Sequence, residues 1–219
     1  MTDRRLVLVR HGITDWNREG RFQGHLDPPL SAVGLREAAL VGARIAADPE
    51  LRPVRIVSSS LVRAAETAAA IGSAAGIAVE HDRRLIEIGQ GDWEGRTHDE
   101  IAVTDAARYA SWRSTDALPP GGETIEHTTE RLLEALEAIA DVEGTVVIVC
   151  HGGTIRVLAR ILLDLSAARS WALDVDNASV GVVTRIGGAW RLDRWNDTAH
   201  LLGRETTHVD EAEGRPLAL

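Results

Sequence analysis

Apolar residues along the chain fall into two patterns. Short unbroken runs, Leu6-Val7-Leu8-Val9 and Val146-Val147-Ile148-Val149, read as buried strands. Between them, apolar positions recur every three or four residues, as on one face of a helix. Residues 32–47 form such a stretch, with Ser31 as N-cap and Pro49 closing it. Leu61–Gly76 is a second, Thr124–Asp141 a third and Thr154–Leu165 a fourth. Pro53–Ser59 and Ile77–Glu80 read as further strands, and Gly76 sits where a helix would stop. Ala178–Ile186 and Ala189–Trp195 flank Gly187-Gly188 and read as a hairpin at one sheet edge. The order begins β-α-β-α-β. It predicts an α/β fold, a three-layer α/β/α sandwich with a mostly parallel central sheet.

Two polar stretches interrupt this rhythm. Residues 13–30 carry too much Gly and Pro for a long helix and follow directly on His11, so they are expected to fold over the end of the first strand. Residues 89–122 begin among three glycines, continue as weak short helices to about Thr115 and end in the turn cluster Leu118–Glu123. They are read as a small helical insertion within one domain spanning 1–219, with a polar tail from about Gly203.

Composition narrows the class. The 219 residues are 44% hydrophobic and 26% charged, as in a soluble globular domain with a sizeable core. The four apolar residues after Met-Thr-Asp-Arg-Arg are too few for a signal peptide, and no run is long enough to span a membrane. A single Cys excludes an internal disulfide framework and fits a reducing cytoplasm. The net charge of −9 argues against a nucleic-acid partner, yet a local Arg cluster can still bind a small anion. All 24 residues counted as Lys+Arg are Arg, which removes lysine Schiff-base chemistry and a Walker A loop.

The chemistry lies at strand ends. Arg10-His11-Gly12 follows the first run, and His151-Gly152 follows the later one. In an open α/β sheet, ligands bind beyond the carboxyl ends of strands. Arg10, and Arg63 one turn into the second helix, can each donate forked hydrogen bonds to a phosphate. A neutral His11 is suited to attack phosphorus if its other ring nitrogen is held as N–H by a carbonyl near Gly12. No cluster of His, Cys or carboxylates has metal-ligand spacing, so neither metal nor cofactor is expected.

These motifs resemble the histidine phosphatase superfamily, also described as phosphoglycerate-mutase-like. Ser58 to Ala68, the Glu87 segment through Trp93-Glu94-Gly95, Pro120-Gly121-Gly122-Glu123 and Trp195-Asn196-Asp197-Thr198 match it in order and spacing. The resemblance implies a phosphoric monoester hydrolase acting through a phosphohistidine on His11. His151 and the helix N-terminus after Gly152 would then stabilise phosphoryl charge. It places the general acid and base in the segment after the third strand, where Glu87 is preferred to Glu94 and Asp92. Asn17, Gln23 and Gly24 match phosphate- or substrate-contacting positions, while Trp16, Phe22, Trp93 and Trp112 are read as packing rather than binding. The remaining six histidines, His200 among them, are read as surface or structural.

Ile88 to Gly95 look like the phosphatase branch rather than the mutases. The expected substrate is a small phosphate ester. Residues 23–27, 91–95 and 191–196 resemble the members of this family that act on glucosyl-3-phosphoglycerate, and the resemblance implies that substrate, with phosphoglycerate, α-ribazole phosphate or sugar phosphates in general as alternatives. A mutase, or a protein that binds a phosphorylated ligand without turnover, is the alternative, and a homodimer is open. One rival signature runs through the same residues. Cys150-His151-Gly152-Gly153-Thr154-Ile155-Arg156 fits the Cys-x5-Arg loop of cysteine phosphatases, but leaves Arg10, His11, Arg63 and Glu87 without a task.

Overall fold

A computed structural model describes residues 4–112, 118–139 and 142–202. Six strands form one sheet: β1 (Arg4–Arg10), β2 (Arg55–Ser59), β3 (Val79–Asp82), β4 (Thr145–Cys150), β5 (Val180–Ile186) and β6 (Ala189–Asp197). Their order is β3-β2-β4-β1-β5-β6. The first four are mutually parallel, and β5 and β6 are antiparallel additions at one edge. The helices are α1 (Asp15–Arg18), α2 (Ala32–Ala47), α3 (Val62–Ala75), α4 (His98–Thr104), α5 (Ala106–Trp112), α6 (Ile125–Glu137), α7 (Gly152–Leu163) and α8 (Ala167–Trp171).

Strand alternation builds the layers. Leu6 and Leu8 of β1, with Val146 and Ile148 of β4, face a core completed by Leu132 of α6 and Leu158 of α7. Val7, Val9, Val147 and Val149 face the other way, onto Val41 and Ile45 of α2 and Ala68 and Ile71 of α3. The central strands are apolar on both faces because helices cover both. Each buried Leu, Ile or Val contributes about 1.5–3 kcal/mol. A third cluster lies in the insertion, where Trp93 packs edge-on to Phe22 at 5.4 Å and to Trp112 at 5.9 Å. Phe22, Trp93 and Trp112 are thus packing residues, and His98 joins them 4.3 Å from Phe22.

Several boundaries differ from expectation. The third strand starts at Val79, not Ile77, because the Ile77 N–H closes helix α3 on Gly72 O at 3.1 Å. The helix expected over 124–141 ends at Glu137, with Thr124 as its cap. The last long helix begins at Gly152, not Thr154, and α1 and α8 carry too few residues to show periodicity. Gly12 needs its glycine for space and not for a positive φ, which is absent there. A Cβ on it would lie 2.5 Å from Gly34 O, so the corner after β1 packs directly on α2. The stretch 113–117, part of the insertion, and the tail from Gly203 lie outside the described residues.

Candidate active site

Register decides where the site is. Arg10 of β1 pairs with Cys150 of β4, and the His11 N–H donates to Cys150 O at 3.0 Å. The two histidines leave adjacent parallel strands side by side, with ring centroids 5.2 Å apart. Arg10, His11, Arg63 and His151 are all buried at this sheet edge. In sequence β2 and β3 come between these two strands, but in the sheet β4 lies directly beside β1.

The two rings are held differently. His11 Nδ1 donates to Gly12 O at 2.7 Å, which leaves Nε2 as the lone-pair nitrogen. Burial, then the Arg63 and Arg10 charges, hold His11 well below its usual 6.5 and keep it neutral. His151 Nε2 lies 2.8 Å from Ser59 Oγ. Ser59 Oγ already accepts the Leu61 N–H, so its own proton is available for Nε2. When Ser59 donates to Nε2 the N–H falls on Nδ1, which is buried and has no hydrogen-bond partner. Burial and the same cations push His151 below 6.5 as well.

Arg63, the second residue of α3, ties the 13–30 loop to the site. Its Nη1 and Nη2 donate to Leu26 O and Gly24 O at 2.8 and 2.9 Å, and its buried Nε has no hydrogen-bond partner. Asp27 Oδ1 accepts the Val62 N–H, which fixes the same loop to the start of α3. Burial lowers Arg63 to about 10, still a cation at neutral pH. Arg10 Nη1 donates to Val175 O at 2.6 Å. A Cβ on Gly152 would sit 3.5 Å from Arg10 Nε, so Gly152 and Arg10 are in contact.

Glu87 comes to the same place from the far side. Its carboxylate accepts N–H bonds from Gly153 at 3.2 Å and Thr154 at 3.0 Å, and the Thr154 hydroxyl at 3.2 Å. The N-terminus of α7 is therefore shared. Two of the backbone donors expected for phosphate hold Glu87 instead, and Gly152 N–H is the remaining candidate. This cap also explains the early start of α7, since two successive glycines do not favour a helix by themselves. Glu94, the competitor, is committed to loop structure: its Oε1 accepts the His25 and Gln90 N–H groups. Asp92 is exposed on the far turn.

Asn17 and Gln23 are buried, and Gly24, next in the chain, gives its carbonyl to Arg63 Nη2. Asn17 Oδ1 accepts the Thr14 N–H in a capping box, so its turn role orients the side chain. Gln23 Oε1 is buried without a partner. Sequence reading missed the residues that hold these in place. Asn177 donates to His11 O at 3.1 Å and to Asn17 Oδ1 at 3.3 Å. Arg131 donates to Arg84 O and Ile86 O and pairs with Glu123, which accepts the Gly89 N–H; together they fix the segment bearing Glu87. Burial pushes Glu123 up, but the Arg131 guanidinium outweighs this and holds it below the usual carboxylate range. The Pro-Gly-Gly-Glu motif flagged Glu123; no local signal flags Arg131 or Asn177.

Cys150 is fully buried in the core, the last residue of β4. Burial, then the nearby Glu87 charge, push its thiol well above the usual thiol range. The helix N-terminus that would lower it is capped by that same carboxylate. The thiolate required by the cysteine reading is therefore disfavoured. Among the described residues, no three His, Cys, Asp or Glu side chains are grouped to hold a metal ion, and no helix is long and apolar enough to cross a membrane.

Many known proteins are similar to this chain. The family model described as histidine phosphatase superfamily (branch 1) matches residues 6–198. Glucosyl-3-phosphoglycerate phosphatase of Mycolicibacterium vanbaalenii is 37% identical over 92% of this chain and 98% of its own length. Metal-independent phosphoserine phosphatase of Arabidopsis thaliana is 35% identical over 90% of this chain and 82% of its own. The solved structure of a mycobacterial glucosyl-3-phosphoglycerate phosphatase complexed with VO3 superposes with a TM-score of 0.81 at 36% identity, covering 89% of this chain and 100% of that one. Family, relatives and fold agree on phosphoric monoester hydrolysis, and the chain belongs to the histidine phosphatase superfamily.

Proposed function

We propose that the chain hydrolyses a small phosphorylated metabolite in two steps through a phosphohistidine on His11, without a metal. The observation that carries this is the Nδ1–H bond from His11 to Gly12 O at 2.7 Å, which leaves a neutral, buried ring with Nε2 as nucleophile. Nε2 attacks phosphorus as the ester P–O bond breaks, and Glu87 gives the leaving oxygen its proton. Water then attacks phosphorus, yields a proton to Glu87 and breaks the N–P bond, releasing phosphate. Arg10, Arg63 Nε and His151 Nδ1–H compensate charge on the phosphoryl oxygens, with Gly152 N–H, Asn17 and Gln23 as further donors. Gly24 acts through its carbonyl, which holds Arg63.

Glucosyl-3-phosphoglycerate is the substrate to test first, supported by 37% identity to its phosphatase along nearly the whole chain. The test is phosphate release from a panel of phosphorylated metabolites, without added metal, by wild type, His11→Ala and Cys150→Ser. The expected result is that wild type and Cys150→Ser turn over while His11→Ala does not. An inactive Cys150→Ser beside an active His11→Ala would overturn the proposal. The compartment follows from the single buried thiol alone and is proposed as the cytoplasm.

A further inference from the structure

The buried face of α2 carries a carboxylate. Glu37, 2% exposed, stands there beside Gly34, Ala38, Val41, Gly42 and Ile45. A carboxylate so buried needs hydrogen bonds to offset its lost hydration. Glu37 Oε2 accepts the Ile13 N–H at 2.7 Å, two residues after His11. The phosphohistidine route, as described so far, gives this residue no task.

The bond matters for what stands at the other end of the same peptide group. The Ile13 N–H and the Gly12 carbonyl belong to one planar unit, and in a trans peptide they point in opposite directions. Gly12 O receives the His11 Nδ1 proton at 2.7 Å. Glu37, the 12–13 peptide and His11 therefore form an unbroken line: carboxylate, N–H, C=O, Nδ1–H. Amide resonance links its two halves. A negative acceptor at the N–H shifts electron density toward the carbonyl oxygen, so the two hydrogen bonds strengthen each other. Glu37, Ile13 and His11 are all buried, and little water screens the line.

The neighbouring backbone groups at this corner are served by neutral partners. The Gly12 N–H donates to Thr67 Oγ1 at 3.1 Å. Ile13 O accepts from the Ser31 N–H at 3.0 Å and from Ser31 Oγ at 2.9 Å. Hydroxyls thus suffice to hold the chain there. The carboxylate stands at the one peptide whose carbonyl faces the attacking ring.

We propose that Glu37 acts through the 12–13 peptide as the far member of a relay behind His11, stabilising the positive charge the ring acquires when Nε2 bonds to phosphorus. This rests on His11 as the nucleophile, as proposed above. Glu37 is a positioning residue, and no proton crosses the peptide. Nδ1 keeps its proton while Nε2 gives its lone pair to phosphorus; the leaving oxygen departs with the P–O pair and takes the Glu87 proton. The relay favours the phosphorylated ring over the free one. It therefore speeds transfer to His11 and does not speed hydrolysis of the phosphohistidine.

The test measures the two steps separately, by rapid quench with p-nitrophenyl phosphate, in wild type, Glu37→Gln, Glu37→Asp and Thr67→Ala. Gln keeps an acceptor for the Ile13 N–H and removes the charge. Glu37→Gln is expected to form the phosphohistidine about threefold to twentyfold more slowly and to hydrolyse it as fast as wild type or faster. Thr67→Ala loosens the same corner without touching the charge, and is expected to slow both steps together or neither. Formation unchanged in Glu37→Gln, or both steps slowed in equal proportion, overturns the inference, since Glu37 would then only hold the loop. The same split between the steps in Thr67→Ala would detach it from the charge and overturn the inference too. Should Glu37→Gln prove unfolded by its melting curve, Glu37→Asp decides, its carboxylate drawn back by one methylene. Slower formation with unslowed hydrolysis supports the relay, and equal slowing or no change overturns it. Phosphate carried by a residue other than His11 in wild type refutes the nucleophile reading and the relay with it. Phosphohistidine on His11 with wild-type kinetics in Glu37→Gln refutes the relay alone.

Discussion

The molecule contains the same corner twice. β1 and β4 are adjacent, parallel and apolar on both faces, and each ends in a buried histidine followed by glycine. Burial lowers both rings below their usual 6.5. They differ in one hydrogen bond. A carbonyl, Gly12 O, takes the His11 Nδ1 proton and leaves Nε2 bare; the Ser59 hydroxyl stands at His151 Nε2 and is able to donate to it. On the proposed route this suits one ring to attack and the other to donate. A carbonyl can only accept, whereas a hydroxyl can give, and the proposed roles of the two rings rest on that distinction.

The largest effect should come from removing the attacking ring. His11→Ala is expected to lower kcat by more than about 10³-fold and to leave no phosphoenzyme in rapid-quench experiments. His151→Ala should cost less, about 10²–10³-fold, with a phosphoenzyme still formed slowly. Equal losses, with phosphoenzyme absent from both, would erase the asymmetry. Glu87→Gln follows at about 10²–10⁴-fold, and its loss should be larger for alkyl phosphates than for p-nitrophenyl phosphate, whose leaving group needs little protonation. A Glu94→Gln variant showing this leaving-group pattern would transfer the acid role there.

Acidification probes the shared feature. Above pH 6.5 neither the folded nor the unfolded chain protonates these rings, so stability is unaffected. Below 6.5 the unfolded chain binds protons that the buried rings refuse, and stability falls by about 1.4 kcal/mol per pH unit for each of them. His200, also lowered, first by its burial, adds to the wild-type slope. Melting curves between pH 7.5 and 5.5 should show a shallower decline in His11→Asn and in His151→Asn than in wild type. An unchanged slope in either variant would mean that ring titrates normally. The smallest expected effect is Ser59→Ala, a few-fold in kcat. Ser59→Ala lets Nε2 carry the proton, so its loss should persist in His11-dependent phosphoenzyme formation and vanish in a His151→Ala background.

Legibility followed the distance over which each signal acts. Ser31, the periodicity of 32–47 and Pro49 are local, and α2 was found to the residue. The paired strands and the histidines at their ends were likewise legible, because four consecutive apolar residues before His-Gly leave little freedom. The start of α7 was not. It depends on a carboxylate 66 residues away, Glu87, capping Gly153, and no local pattern contains that partner. For the same reason Arg131 and Asn177 carry no mark in the sequence, and Ser59, though inside the Ser58–Ala68 match, shows nothing there of its contact with His151. Their value lies in carbonyls and side chains brought near by the sheet. Gly12 stands in the motif, but the constraint on it, the Gly34 backbone pressed against it, comes from another element and is not local.

The most direct measurement is where the phosphoryl group resides during turnover. Wild type would be mixed with a rapidly hydrolysed ester, quenched in alkali and digested, and the modified peptide identified by mass spectrometry. The account predicts phosphate on His11, on Nε2 of the ring. Phosphate on His151 would reverse the two corners, and phosphate on Cys150 would restore the thiol route that burial and Glu87 oppose.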